Sequence, residues 1–279
     1  MCASGSSDSQ DRFFCKQLVQ CTIAGVFDGH GKYGSIAAST ACALFENQLS
    51  QLISSLEFQH PDKLHDVLDP CFDTAHKLIK NEIIANAGGR LGADGLIYSA
   101  SSMLIDAGCT ATIVIVFQTG RIICAHVGDS DAVVFPQHAV NEYRQLTGDH
   151  SAYNPEEHAR ITQSAEPHAL FVYDSRNIRP KNLCPPVFSS AGTHLSYTSA
   201  ERRLLGMYRK NIRGDLGTYV ASPAPSHTAS AMTRCLGAFE MHQFGVCHVP
   251  QISVHTVSTP AILVVASDGT IMLTRALMM

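Results

Sequence analysis

Charge is scarce in this 279-residue chain: charged side chains make up 16%, and 20 Lys and Arg stand against 24 Asp and Glu, a net charge of −4. No run of basic residues offers a footprint for a phosphate backbone, so nucleic-acid binding has no electrostatic support. Long apolar runs are missing as well. The longest, such as Ile113 to Phe117 and Ala261 to Ala266, fall far short of the roughly 20 residues that a membrane-spanning helix needs. No membrane insertion is expected. The N-terminus, MCASGSSDSQDR, lacks a basic segment followed by an apolar one, and Cys2 stands where myristoylation requires Gly, so neither secretion nor acylation is signalled. C-x-x-C pairs are also absent. The ten cysteines (2, 15, 21, 42, 71, 109, 124, 184, 235 and 247) are scattered, several inside apolar runs such as Ile122-Ile123-Cys124-Ala125. They read as buried, reduced thiols of a cytosolic or nuclear protein, not as ligands or disulfides.

What the chain does have is a globular composition, 45% hydrophobic, and length enough for a sizeable core in one large domain or two small ones. Gln20 to Phe27 reads as a strand that delivers the polar, glycine-rich break Asp28-Gly29-His30-Gly31. From Ser35 to about Leu56, apolar residues recur at three and four, as on one face of a helix. A second such pattern covers about Leu64 to Ala87, with Pro70 expected to bend it or delay its start. Then the period changes. Thr110 to Phe117, Arg121 to Val127 and Ala132 to Phe135 are β-rich runs separated by turn chemistry, which predicts a meander of antiparallel strands. Asn154-Pro155-Glu156-Glu157 opens another helix, with Pro at the first helical position and carboxylates near the positive end. Residues 165–230, rich in Pro, Ser, Asn and Gly, read as a surface insertion with a basic patch at Arg202, Arg203, Arg209 and Lys210. Pro260 to Ala266 is a further apolar strand, and it delivers Ser267-Asp268-Gly269.

Two apolar strands therefore each end in Asp-Gly, an arrangement that can aim carboxylates from a rigid sheet at one point outside it. Carboxylate and main-chain carbonyl oxygens suit Mg²⁺ or Mn²⁺, and a glycine lets its own carbonyl come close enough to ligate. Paired cations of this kind lower the pKa of a bound water and clamp a phosphoryl oxygen. His30, beside Asp28, has an ordinary pKa of about 6.5 and could donate a proton to a leaving group. Any one Asp-Gly is common turn chemistry. The order of the set is what distinguishes it: Gln10-Asp11-Arg12, Gly25-Val26-Phe27-Asp28-Gly29-His30-Gly31, Gly108-Cys109-Thr110-Ala111-Thr112, and Val127-Gly128-Asp129-Ser130. It continues with Leu146-Thr147-Gly148-Asp149-His150, Asn154-Pro155, Ala231-Met232-Thr233-Arg234-Cys235-Leu236-Gly237 and Ala266-Ser267-Asp268-Gly269.

This series resembles the metal-dependent serine/threonine protein phosphatases of the type 2C family. The resemblance implies an α+β fold with a central antiparallel β-sandwich flanked by helices, in a single phosphatase-like domain over residues 1–279. It also implies hydrolysis of phosphoserine and phosphothreonine by an activated water at a site for two Mg²⁺ or Mn²⁺ ions, with a weaker third. Matched residue by residue, Asp28 resembles the carboxylate that bridges both metals, and Gly29 the glycine whose carbonyl ligates one of them. Asp268 resembles the carboxylate of the second Asp-Gly motif, Asp11 the acidic residue near the metal-bound waters, Asp129 the aspartate of the weaker site, and His30 the general acid. The implied partners are phosphorylated proteins, met by a monomer with no role for nucleic acid or membrane.

The chain also departs from the family pattern. Gln10 occupies a position often held by Glu, Ala238 follows Leu236-Gly237 where Asp is usual, and Ser6 falls where some relatives place a phosphate-binding Arg. A Trp-Asp after the second Asp-Gly is replaced by Thr270-Ile271-Met272-Leu273, and only 279 − 268 = 11 residues follow Asp268. The late Asp-Asn motif and the strand expected before Gln10-Asp11 are not found in the chain, as expected of an incomplete gene sequence or of a divergent copy shortened at both ends. These departures motivate a second reading, a pseudophosphatase that binds phosphoproteins or regulates without hydrolysis. Fourteen histidines show no His-Glu-x-x-His or finger spacing, so zinc has little support. Asp-Gly-His-Gly also resembles a subtilisin-like histidine motif, but no Gly-Thr-Ser nucleophile accompanies it.

Overall fold

The computed structural model describes residues 9–53, 60, 63–137, 142–152, 154–164, 170–174, 187–188, 194–195, 207–209, 218–221 and 229–268. The chain divides into two compact units, Met1–Gly148 with Arg234–Ala238 and His248–Met279, and Asp149–Thr233 with Phe239–Cys247. In the first unit, β1 (Arg12–Gln17), β2 (Cys21–Phe27) and β3 (Gly29–Gly31) lead into α1 (Gly34–Leu52) and α2 (Leu64–Asn86). There follow β4 (Ala107–Cys109), β5 (Ala111–Phe117), β6 (Arg121–Val127), β7 (Asp131–Pro136) and β8 (Arg144–Gln145). The unit closes with β9 (Leu236–Gly237), β10 (Gln251–Thr256) and β11 (Ala261–Ala266).

These strands form a five-stranded sheet ordered β1-β2-β5-β6-β10, a three-stranded sheet ordered β8-β7-β11, and a smaller one ordered β9-β4-β3. All their pairings are antiparallel. Side chains alternate across a strand, so the unbroken apolar run of β5 serves two layers at once. Val114 joins Ile122, Cys124, Ala132, Val134 and Leu146 in the core between the first two sheets. On the opposite face, the rings of Phe14, Phe27, Phe45 and Phe72 follow one another, stacked, tilted and then edge-on, with centroids 6.1, 5.8 and 4.8 Å apart, and join the first sheet to α1 and α2. The α+β sandwich with helices on its flank is the expected architecture.

Three local expectations are corrected. Strands β5 and β6 are a hairpin, but β7 does not continue the meander: it pairs with β11 and β8 in the second sheet. The break Gly128-Asp129-Ser130 is a corner between sheets, taken at Gly128 with φ +98, a backbone conformation that favours glycine. The helix α2 begins at Leu64 with no delay, and Pro70 sits inside it, exposed. A stripe of Leu64, Val67, Leu68, Cys71, Phe72, Ala75, Ile79 and Ile83 buries the other face and outweighs the lost hydrogen bond to the Asp66 carbonyl. Among the eight described cysteines, all free, Cys15 is exposed, because β1 is an edge strand that buries Phe14 and turns its neighbours outward.

In the second unit, α3 (Pro155–Ser164) starts as read, with Asn154 as its cap: the Asn154 Oδ1 accepts the Glu156 N–H at 3.0 Å, and its carbonyl accepts the His158 N–H at 2.9 Å. Glu157 is buried at 3% exposure, where it accepts from Arg160 at 2.8 Å and from the Thr233 hydroxyl at 2.7 Å. A four-stranded sheet orders Met207–Arg209, Leu170–Asp174, Thr218–Ala221 and Ala229–Ser230, and α4 (Phe239–His242) follows it. Most of the stretch 165–230, expected as an insertion, lies outside the described residues, as do Arg202, Arg203 and Lys210. Among the described residues, no helix is long and apolar enough to cross a membrane.

Candidate active site

The pairing of β1 with β2 sets Arg12 opposite Phe27, so the residues just before β1 and just after β2 meet at one edge of the first sheet. These are Gln10, Asp11 and Asp28. The second sheet contributes from its own ends. Ala266 pairs with Asp131, which brings Ser267 and Asp268 alongside the corner that holds Asp129. The Ser267 hydroxyl donates to Asp11 Oδ2 at 3.3 Å. Four carboxylates read from the sequence, those of Asp11, Asp28, Asp129 and Asp268, thus share one site built from both sheets.

A buried hydroxyl network fixes their spacing. The Asp28 N–H donates to Thr110 Oγ1 at 2.9 Å, and the Thr110 N–H donates back to the Asp28 carbonyl at 2.9 Å. Thr110 Oγ1 lies 2.7 Å from Ser130 Oγ, and the Thr112 hydroxyl donates to the Ser130 carbonyl at 2.6 Å. All three side chains are buried, and together they tie Asp28 to the corner carrying Asp129. These positioning residues do not stand out in the sequence, although Thr110 and Thr112 lie in the Gly-Cys-Thr-Ala-Thr motif and Ser130 in the Gly-Asp-Ser motif. Their role is visible only once β5 and the corner are adjacent.

Electrostatics follow from the crowding. Burial first, then the charge and hydrogen bond of Asp11, then Asp268 and Asp129, push the Asp28 carboxyl up to about 7. Among the described residues, the charged groups acting on it are carboxylates. A half-buried carboxylate ringed by three exposed ones is a donor set of hard oxygens that repel one another, and a divalent cation relieves that repulsion. The residues present therefore fit Mg²⁺ or Mn²⁺.

The glycines allow the close packing around this site. A Cβ on Gly29 would lie 2.5 Å from the Gly34 carbonyl oxygen, and one on Gly34 would lie 2.6 Å from the Gly29 carbonyl carbon and collide with the Gln10 side chain. With its carboxamide nitrogen turned toward them, Gln10 donates to the Gly29 carbonyl at 2.9 Å and to the Gly31 carbonyl at 3.2 Å. The expected general acid has a different setting. Burial alone pushes the His30 imidazole down to about 4, and its Nε2 has no hydrogen-bond partner among the described residues. The ring covers Gly108, where a Cβ would lie 2.7 Å from His30 Cε1. Ala238 is buried with φ +47, and its N–H donates to the Ala107 carbonyl at 2.7 Å. That methyl stands where the family pattern has a carboxylate.

Residues 9–166 match the family described as protein phosphatase 2C. This is more than half of the chain, and the chain belongs to that family, whose members are typically metal-dependent. A Dictyostelium discoideum protein described as a probable protein phosphatase is 28% identical over 166 residues, which cover 54% of this chain and 15% of that much longer protein. The fold is similar to that of a serine-threonine phosphatase 2C from Toxoplasma gondii, with TM-score 0.61 and 16% identity over 95% of this chain and 75% of the other. It is also similar to a C. elegans sex determining protein, with TM-score 0.58 and 17% identity over 95% of this chain and 49% of the other.

Proposed function

We propose that this chain is a protein serine/threonine phosphatase that hydrolyses phosphoserine and phosphothreonine at a site for two Mg²⁺ or Mn²⁺ ions. The observation that carries this reading is the convergence of Asp11, Asp129 and Asp268 on Asp28 from two sheets. Cations bound there supply an activated water and neutralise the charge of the transferred phosphoryl group. Asp28, the most buried of the four, would hold both cations, with Asp268 and the Gly29 carbonyl as further ligands. Asp11 orients water through its carboxylate, and Asp129 serves a weaker position at the corner. Thr110 and Ser130 hold Asp28 and Asp129 at fixed separation, which keeps the carboxylates ready despite their mutual repulsion. His30, two residues beyond Asp28, is the group we assign to donate a proton to the leaving group, although burial favours the neutral form of its imidazole.

The test is hydrolysis of a phosphothreonine peptide in Mn²⁺ and in EDTA by the wild type and two variants. Turnover is expected in Mn²⁺ only. Asp28→Asn should cost at least about 100-fold, since it disturbs both cations, whereas Asp129→Asn should cost about tenfold or less. Equal losses in the two variants would remove the bridging role from Asp28. A second reading is favoured by Ala238, a buried methyl in place of a carboxylate: the chain binds phosphoproteins without hydrolysing them. A folded, Mn²⁺-treated chain with phosphopeptide affinity and no turnover is the outcome that supports it.

A further inference from the structure

The carbonyl of Gly29 has two suitors. The antiparallel ladder uses the Asp28 carbonyl to pair with Thr110, so its alternation turns the next carbonyls that face away from β4, those of Gly29 and Gly31, toward Gln10. The end of the Gln10 carboxamide lies 2.9 and 3.2 Å from them, a position from which its nitrogen, when turned toward them, donates to both. The carboxamide lies close against Gly34 at the start of α1, where a methyl would collide with it. Its backbone adjoins Asp11, whose carboxylate acts directly on Asp28. The clasp therefore closes on the glycine that follows the central carboxylate of the site.

We propose that the Gln10 carboxamide competes with a divalent cation for the Gly29 carbonyl, so that Gln10 sets the metal affinity of the site. This rests on the reading of the carboxylate cluster as a cation site. The physical reason is the sign of the carboxamide dipole. Its N–H groups carry partial positive charge and point at the oxygen that a cation would also seek, so a cation seated there displaces the N–H donors or is repelled by them. A carboxylate at the same position reverses both effects. It leaves the Gly29 and Gly31 carbonyls facing negative charge without a cation, and adds a ligand when one is present.

Calorimetric titration with Mn²⁺ and thermal unfolding in EDTA, on the wild type, Gln10→Met and Gln10→Glu, test the proposal without reference to turnover. Gln10→Met keeps the length and loses the donors. It should melt below the wild type in EDTA and bind Mn²⁺ about three- to tenfold more tightly, the equilibrium worth of a hydrogen bond. Gln10→Glu should melt lowest in EDTA and bind most tightly. Mn²⁺ binding by Gln10→Met that equals the wild type or is weaker overturns the competition, the weaker result making Gln10 a ligand. If no variant folds, the wild-type Gln10 side-chain amide resonances provide the test: they should shift on saturation with Mg²⁺, and unchanged resonances in a chain that binds Mg²⁺ overturn the proposal. Failure of wild type and variants alike to bind Mn²⁺ overturns the metal reading itself and the competition with it. Binding by the wild type with no gain in Gln10→Met overturns the competition alone.

Discussion

Ala238 holds a left-handed backbone, φ +47, directly after Gly237 at φ +75. A Cβ in that conformation crowds the following carbonyl at a cost of roughly 1–2 kcal/mol. The strain persists because the Ala238 N–H completes a hydrogen bond to Ala107 beside the pairing of Gly237 with Gly108. Ala238→Gly should therefore raise stability by about 0.5–1 kcal/mol, after subtracting the freedom that glycine adds to the unfolded chain. Thermal unfolding measures this, and a lower melting temperature would mean that packing of the buried methyl outweighs the strain. Residues of the site differ in how far the sequence revealed them. Asp28 and Asp268 stand out because each ends an apolar strand and precedes glycine, and Asp129 because glycine precedes it in a turn. The clasp of Gln10 and the hydroxyl of Thr110 do not stand out, since each acts on a residue brought near only by strand pairing. The packing of His30 does not stand out either, since Gly108, distant along the chain, lies against its ring.

Elements with strong periodicity are legible in the same way. The stripes of α1 and α2 and the apolar runs of β2, β5 and β11 lie where the pattern placed them. The strands β1 and β10, RFFCKQ and QISVHT, carry no clean alternation: both are sheet edges, where Phe13 and Val254 are exposed while Arg12, Lys16 and Ser253 are half-buried. The partner of β7 is not legible in the sequence, because a glycine-rich turn looks alike whether it closes a hairpin or carries the chain to a second sheet. Pro70 shows tertiary packing overriding local preference. Its ring is exposed within α2, so it adds little to the core while denying Asp66 a donor. Pro70→Ala should stabilise the chain by about 1–3 kcal/mol. Urea unfolding tests this, and no gain would show that the helix is already relaxed around the proline.

Across the first unit, five free thiols, those of Cys21, Cys71, Cys109, Cys124 and Cys235, are buried in strands, in α2 and in the segment before β9. Burial pushes the thiols of Cys71 and Cys124 up to about 11 and 12, far from the thiolate form that reacts. These five should resist a thiol reagent in the native state and become reactive together at the rate of global unfolding, while Cys15 on the edge strand reacts at once. Cys15→Ser should remove one fast equivalent and leave the slow ones unchanged. Separate slow phases would show that parts of the unit open independently.

The placement of Asp28 beyond β2 and Asp268 beyond β11 has one more consequence. A slip of one sheet against the other by one residue, about 3.3 Å along a strand, would carry Asp268 and Ser267 away from Asp11 while leaving Asp28 where it is. The acidic cluster is thus a vernier for the alignment of two sheets: it closes only when they are seated in register, so the chemistry it supports is withheld from a sandwich assembled out of step.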